Sequence, residues 1–409
     1  MVDFADTPEQ AAFRAEVRAF VAEQYPQEFA EQARYQAGLF GSSGVSVRDA
    51  GDRGRRAELM RGWREALVER GWIAPAWPKE FGGADLSVMD QFILNEEFAR
   101  ARATPIRVPD VGSTIMVHGS EEQKREFLPP MVKGADQWCQ GYSEPGAGSD
   151  LASLQTSATR DGDDFVLNGQ KIWTSGAQTA KWMFGLFRTD PDAPKHRGIS
   201  YLLLRMDTPG INVRPLTQIT GSSGFTEVFF EDARVPAKNV VGEVNRGWYV
   251  GATHLDFERS SIGSAVGTRN TLNDLREFLQ TEEAASSGRS RVGSEPAIRA
   301  ELADRYIEAE TARMFSYRVI SMQNRGEIPN YEASVQKVFT TELRQRIART
   351  AIKALGLYGG LYDADHPRTP MRRRWSQQYL AAVAETIGAG TSEIQRNVIA
   401  TRGLGLPRG

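Results

Sequence analysis

The chain reads as an α+β protein in three blocks: helices over residues 1–135, short strands over 136–246, and helices again over 247–409. Two observations carry that reading. Apolar residues at helical spacing dominate both ends. Between them, brief apolar runs recur between turn signals, the texture of an antiparallel sandwich or barrel. A length of 409 residues can bury a large core and allows two or three domains.

The elements follow in order. Thr7 is placed to cap a first helix with Pro8 at its first position and Phe13, Val17 and Phe20 along one face. A polar, glycine-bearing interruption over 38–55 precedes a second helical run over 57–71. The string Trp77-Pro78-Lys79-Glu80-Phe81-Gly82-Gly83 breaks the pattern with a turn, and helices resume near Met89 and run to Val132. The strand block shows Phe165-Val166-Leu167, Trp182 to Phe187, Ile199 to Leu204, Ile211-Asn212-Val213 and Thr226 to Phe230. Asp161-Gly162-Asp163, Asn168-Gly169 and Pro209-Gly210 are the turn signals between them. Helical spacing returns from Gly247, interrupted by a Ser/Gly/Arg-rich loop at 285–294.

Composition removes several classes of function. With 50 basic against 52 acidic residues and a net charge of −2, nothing favours nucleic acid or an anionic membrane as partner. The single cysteine, Cys139, rules out an intrachain disulfide and reads as a small buried apolar residue. Four scattered histidines, His118, His196, His254 and His366, speak against a histidine-rich metal centre. No stretch approaches the roughly 18 apolar residues that span a bilayer. The first residues, Met-Val-Asp-Phe-Ala-Asp, carry acids where a signal peptide carries lysines, so a cytoplasmic location is expected.

Two segments look like neither core nor linker. Residues 141–150 read Gly-Tyr-Ser-Glu-Pro-Gly-Ala-Gly-Ser-Asp, and 168–177 read Asn-Gly-Gln-Lys-Ile-Trp-Thr-Ser-Gly-Ala. Each sets hydroxyls, glycines and one aromatic where small groups can hold a planar polar ligand. In a strand, Trp173 and Ser175 share a face. No Gly-x-Gly-x-x-Gly opens a helix here, so a dinucleotide-binding βαβ unit is not expected. A third segment, Ile387-Gly388-Ala389-Gly390-Thr391-Ser392-Glu393-Ile394-Gln395-Arg396, stops one helix with glycines and starts another. Ser392 with Gln395 is the expected cap, and the helix N-terminus a seat for hydroxyls or phosphates.

These three segments resemble those of the acyl-CoA dehydrogenase family, and the likeness extends from the Pro78 to Gly83 turn to the closing Arg402-Gly403-Leu404-Gly405-Leu406-Pro407. The resemblance implies an N-terminal helical domain, a central antiparallel β-sandwich or barrel and a C-terminal four-helix bundle. It implies FAD as cofactor, with Tyr142 and Ser143 against the flavin's pyrimidine edge, Trp173 shielding a ring face, and Ser175 near N5. Thr391 and Glu393 match further FAD contacts, and Ser149 would face the CoA part of the substrate. Many relatives carry the catalytic glutamate just before the Gly-Thr of the third segment, where this chain has Gly388 and Ala389. A minority supply it from a helix after the strands. Glu258 matches that position, beside Asp256 and Arg259, which match positions that support the site and bind the pantetheine arm. A Glu-Arg pair is also ordinary on an exposed helix face.

Two departures stand out. The Arg-x-Phe-Gly segment with which relatives reach a neighbouring subunit's flavin is missing from 281–291, where Arg289 and Arg291 are the available cations. A glutamine used at the adenosine end is replaced by Lys353. The resemblance implies removal of an α-proton by Glu258, transfer of hydride from the β-carbon, and a trans-2-enoyl-CoA product. The loss of the glutamate at 389 points to a branched or bulky acyl group, such as a sterol side chain. An electron-transfer flavoprotein is the implied acceptor and a homotetramer the implied assembly. The departures keep open an α2β2 heterotetramer whose partner completes the FAD site or supplies the base. An acyl-CoA oxidase, a flavin monooxygenase or a non-catalytic binding protein on the same scaffold also stay open.

Overall fold

The computed structural model describes residues 6–36, 50–257 and 262–407, with the backbone alone at 50–53 and 253–257. Among the described residues six α-helices come first: α1 (Pro8–Gln24), α2 (Gln27–Ala33), α3 (Ala50–Glu69), α4 (Val88–Arg100), α5 (Val111–His118) and α6 (Glu121–Lys133). Seven strands follow: β1 (Trp138–Gly141), β2 (Ser157–Asp161), β3 (Asp164–Ser175), β4 (Trp182–Arg188), β5 (Ile199–Arg205), β6 (Ile211–Leu216) and β7 (Phe225–Pro236). Seven more helices close the chain: α7 (Gly247–Phe257), α8 (Ile262–Leu279), α9 (Glu282–Ser286), α10 (Pro296–Asn324), α11 (Tyr331–Leu355), α12 (Arg374–Glu385) and α13 (Ser392–Val398). The expected α+β order of helices, strands and helices holds.

Local chemistry explains the boundaries. Thr7 accepts from the Gln10 N–H at 3.3 Å while the Gln10 side chain accepts from the Thr7 N–H at 2.9 Å, a reciprocal cap, with Pro8 next. α3 starts at Ala50, inside the interruption expected over 38–55, whose residues 38–49 lie outside the described ones. Gly54 sits in that helix with open space around it, where a glycine costs only intrinsic propensity.

Packing divides the chain into two compact units. The first holds residues up to 67, 86–105 and those from 259 on. Its bundle core joins Leu272, Leu275 and Leu279 of α8 to Ile298 and Leu302 of α10, Leu343 and Ile347 of α11, and Trp375 of α12. A second centre is Trp63, packed between Phe20, Tyr25 and Phe98, with its indole N–H donating to the Thr104 carbonyl at 2.9 Å.

The second unit, residues 68–85 and 106–258, gathers the strands into one sheet ordered β1-β4-β2-β3-β7-β6, with β5 paired to β4. Most pairs are antiparallel, while β1 runs parallel to β4. Cys139 on β1 is buried as expected, beside Met206, and burial pushes its thiol up to about 12. Asn168-Gly169 is not the turn expected between two strands. It lies within β3 as an irregularity, where Gly169 takes φ +134° and a Cβ would come within 2.9 Å of the Thr156 backbone. Glycine lets one long strand continue through that close approach.

The Trp77 to Gly83 turn is set by contact. A Cβ on Gly83 would lie 2.1 Å from the Trp77 carbonyl oxygen. Gly83→Ala is therefore expected to destabilise the protein by about 1–3 kcal/mol. Gly54→Ala, on an open helical face, should stabilise by up to ~1 kcal/mol. Thermal unfolding of both variants checks the contrast, and an unchanged midpoint for Gly83→Ala would contradict it.

Candidate active site

The two hydroxyl-rich segments meet on the strand unit. After β1 the chain turns back, with Glu144 and Ala147 exchanging N–H to carbonyl bonds of 3.0 Å in both directions. The Ile172 N–H of β3 then donates to the Ser143 carbonyl at 2.9 Å, laying 141–150 alongside 168–177. Beneath them Lys171, fully buried, donates to the Glu144 carboxylate at 2.7 Å and to the Tyr142 carbonyl at 3.2 Å. The same carboxylate accepts the backbone N–H groups of Gln155 (2.6 Å) and Thr156 (3.0 Å). Burial alone would raise the Glu144 carboxyl, but the Lys171 charge and the Gln155 N–H outweigh it and hold it below its ordinary value. Burial pulls the Lys171 ammonium down, against the charge of Glu144.

Sequence reasoning missed this pair. The signal was present: Phe165 and Leu167 set the inward parity of β3, and Lys171 falls on it. Arg188 was missed as well. It donates to the carbonyls of Ala152 at 2.7 Å, Arg197 at 3.1 Å, and Leu154 and Lys195 at 3.3 Å, clamping the segment after the glycine-rich turn.

The strand changes its facing at Trp173, which takes φ +61°, a left-handed conformation costing about 1–2 kcal/mol for an L-residue. Up to Lys171 the buried positions are Phe165, Leu167 and Lys171. From Trp173 on, odd positions face out: Trp173 is 57% exposed, Ser175 is exposed, and Thr174 between them is buried. Trp173 is therefore not buried in the core of the strand unit. Phe225 meets its indole edge-on at 6.0 Å. Tyr142 turns its ring inward against Phe184 and Tyr201, and its hydroxyl donates to that of Tyr201 at 3.5 Å. Ser143 is half-buried and Ser149 exposed, and Gly146 and Gly148 face open space.

Thr391 and Glu393 belong to the helical unit. Ser392 is not the cap that the sequence suggested: Thr391 is, accepting from the Ile394 N–H at 3.2 Å. Ser392 is instead the first residue of α13 and is buried, while the Gln395 amide donates to the Ala389 carbonyl at 3.2 Å. The reason is the tight entry, with Ala389 at φ +54° and Gly390 at φ +83°, which brings the chain out of the left-handed region one residue earlier. Glu393 is exposed in the first turn, where backbone N–H and the Thr391 hydroxyl hold its carboxyl below the ordinary value.

The remaining candidates divide. Glu258 and Arg259 lie outside the described residues, and Asp256 is described only as backbone at the end of α7. Arg289 pairs with Glu283, Arg291 with Glu295, and Lys353 with Glu301 at 2.7 Å, so all three cations are engaged within the helical unit. Among the described residues no group of acids, histidines and cysteine is arranged to hold a metal. No described helix is long and apolar enough to cross a membrane. The donor set fits a planar, polar cofactor: an exposed indole and a hydroxyl on one strand, with a glycine turn whose Cβ positions are open.

The site on the strand unit has the residue types of a pocket for a planar, polar cofactor. Comparison with known proteins gives the family. The description "Acyl-CoA dehydrogenase, N-terminal domain" matches residues 7–135, "middle domain" 139–233 and "C-terminal domain" 245–404. Acyl-CoA dehydrogenase IpdE1 of Mycobacterium tuberculosis is 37% identical over 97% of each chain, and FadE26 of the same organism 36% identical over 98% of each. Among solved structures, the Tcur3481-Tcur3483 steroid ACAD matches with TM-score 0.79 and 32% identity over 100% of both chains. The ChsE4-ChsE5 complex from Mycobacterium tuberculosis matches with TM-score 0.79 and 34% identity, again over 100% of both. The chain belongs to the acyl-CoA dehydrogenase family. It is an oxidoreductase of the kind that acts on CH–CH bonds.

Proposed function

We propose that this chain dehydrogenates the α–β bond of an acyl-CoA thioester whose acyl group is branched or bulky, such as a sterol side chain, with FAD as cofactor. When bound, FAD supplies the acceptor for the hydride that leaves the β-carbon. The protein's residues do the rest. Glu258 takes the α-proton as a trans-2-enoyl product forms. Its carboxylate needs a dry setting in which desolvation raises its proton affinity toward working pH. A backbone N–H near Ala389 hydrogen-bonds the thioester carbonyl and stabilises the charge that develops there. Trp173 and Ser175 hold the ring of the cofactor, the backbone of Tyr142 and Ser143 meets its polar edge, and Thr391 and Glu393 bind farther along it. Ser149, Asp256 and Arg259 hold the CoA arm.

The observation that carries this reading is Trp173, a large aromatic kept both exposed and left-handed on a strand otherwise well packed. A protein retains such strain where a ligand uses it. The bulky acyl group is supported by Ala389 standing where many relatives carry a glutamate, and by a solved relative described as a steroid ACAD. The test is the visible spectrum of the chain expressed alone and titrated without oxygen with straight, branched and ring-bearing acyl-CoAs. Stoichiometric flavin that bleaches, most readily with a bulky substrate, is expected; flavin that no thioester bleaches would refute the reading.

A second reading has its own support. Arg289, Arg291 and Lys353 are spent on internal ion pairs, which leaves the second half of the FAD site short of cations from this chain. Two structural relatives are described as pairs of different chains. An α2β2 assembly in which a partner completes that site is therefore the alternative to a homotetramer, and flavin per chain before and after co-expression decides between them. An electron-transfer flavoprotein is the acceptor we assign to either form.

A further inference from the structure

The peptide that joins Tyr142 to Ser143 is held by a charge. The Lys171 ammonium, fully buried on β3, donates to the Tyr142 carbonyl at 3.2 Å as well as to Glu144 at 2.7 Å. That peptide unit is trans, so the Ser143 N–H points away from the Tyr142 carbonyl and from the ammonium behind it. The Ser143 carbonyl is taken by the Ile172 N–H at 2.9 Å, but the Ser143 N–H has no hydrogen-bond partner among the described residues. The bond to Ile172 sets this free donor beside the stretch of β3 that exposes Trp173 and Ser175.

Fixing the turn does not require a lysine. The Glu144 carboxylate already accepts the N–H groups of Gln155 at 2.6 Å and Thr156 at 3.0 Å, and Glu144 and Ala147 exchange two backbone bonds. A buried ion pair is weak evidence for stability, because desolvation offsets much of its attraction. That cost is visible here: burial draws the Lys171 ammonium down to about 8, which still leaves it charged at pH 7. What the lysine adds, and a neutral side chain would not, is a full charge on one carbonyl oxygen. A carbonyl that accepts from an ammonium draws electrons from its own amide nitrogen, and the N–H of that unit becomes a stronger donor.

We infer that Lys171 is a positioning residue that acts through the Tyr142–Ser143 peptide, so that the Ser143 N–H binds reduced flavin more tightly than oxidised flavin. The inference rests on the FAD-dependent function proposed above, in which this backbone meets the polar edge of the ring. Two-electron reduction leaves more negative charge on that edge than the oxidised ring carries there. A strengthened donor therefore favours the reduced state and raises the potential of the bound cofactor. A preference of about tenfold corresponds to about 30 mV for a two-electron couple.

The test is the potential of the bound flavin, read by titration with dithionite against a reference dye, without oxygen, and set beside that of free FAD. Lys171→Met should lower it by about 30 mV or more, since the variant also leaves the Glu144 charge uncompensated. A lysine that only held the fold would weaken oxidised and reduced flavin alike, and its loss would leave the potential where it was. Lys171→Met combined with Glu144→Gln is measured beside it to guard against unfolding. This pair variant buries neither charge, and the amide oxygen that Glu144→Gln brings can still accept from Gln155 and Thr156. Its potential should also fall by about 30 mV. Ser143→Ala loses the hydroxyl and keeps the N–H, so adding Lys171→Met to it should produce the same fall. An unchanged potential in the pair variant, or a Lys171→Met shift that vanishes in the Ser143→Ala background, would overturn the inference and leave the dehydrogenase reading intact. Protein that takes up no FAD, alone or in an α2β2 assembly, would overturn both.

Discussion

Glu258→Gln is expected to lower kcat with a bulky acyl-CoA by about 10²–10⁴-fold, the usual contribution of a positioned general base. Flavin content and affinity for the thioester should stay near wild type, because the amide keeps the shape of the side chain and loses only the ability to take a proton. The size of the effect follows from the lack of a substitute. Ala389, where many relatives place this glutamate, has no titratable group. Glu385, the acid one turn before it, is nearly buried and bonded to Arg344 at 2.7 Å. That carboxylate is engaged by the guanidinium, which leaves it unavailable as a replacement. Adding Ala389→Glu to the Glu258→Gln variant should recover part of the activity. Recovery is expected to be partial, because residue 389 sits at φ +54°, a conformation that an extended side chain adopts at a cost. Single-turnover flavin bleaching measures both variants. A Glu258→Gln protein that bleaches at the wild-type rate would show that the base lies elsewhere or belongs to a partner chain.

Much of this arrangement was legible in the sequence because its signals are local. Thr7 and Pro8 announced the first helix, and the apolar runs at 182–187 and 199–204 became β4 and β5, buried almost throughout, because caps and short continuous apolar runs act over a few neighbouring residues. The two hydroxyl-rich segments were visible for the same reason. Other features depend on partners far away in the chain. β1, only four residues long, is a strand because Trp138 to Gly141 pair with Trp182 to Gly185. Asn168-Gly169 looks like a turn to any local rule, yet β7 and Thr156 hold it in a continuing strand. Asp274 reads as an ordinary helix acid until Arg102 and Arg374 arrive from 172 and 100 residues away. Lys171 shows the limit most clearly. Its parity marked it as inward, but its role depends on Glu144, on another segment.

The second large effect concerns that pair. Lys171→Met should destabilise the strand unit by about 3–5 kcal/mol, the cost of leaving a buried charge without its counterion. The expected loss is larger than for a surface pair, worth about 0–1 kcal/mol, because Lys171 is fully buried and Glu144 only 8% exposed. Methionine fills the volume of the lysine stem, so the loss reports charge and hydrogen bonding more than a cavity. Glu144→Leu should be at least as harmful. It strands the Lys171 ammonium and also removes the acceptor of the Gln155 and Thr156 N–H groups, each unsatisfied donor costing about 1–3 kcal/mol. The double variant removes both charges but still leaves those two donors, so it should lie below wild type and above Glu144→Leu. Flavin retention should follow stability, since Lys171 also holds the Tyr142 carbonyl against β3. The pH dependence gives an independent check. The Glu144 carboxyl is held below its ordinary 4.5, so its contribution is complete above that value and fades as pH falls through the lowered one. Denaturant unfolding at pH 7 and pH 4 should show a shallower acid loss in Lys171→Met than in wild type. Equal acid loss in the two would mean that the pair is not what fixes the segment.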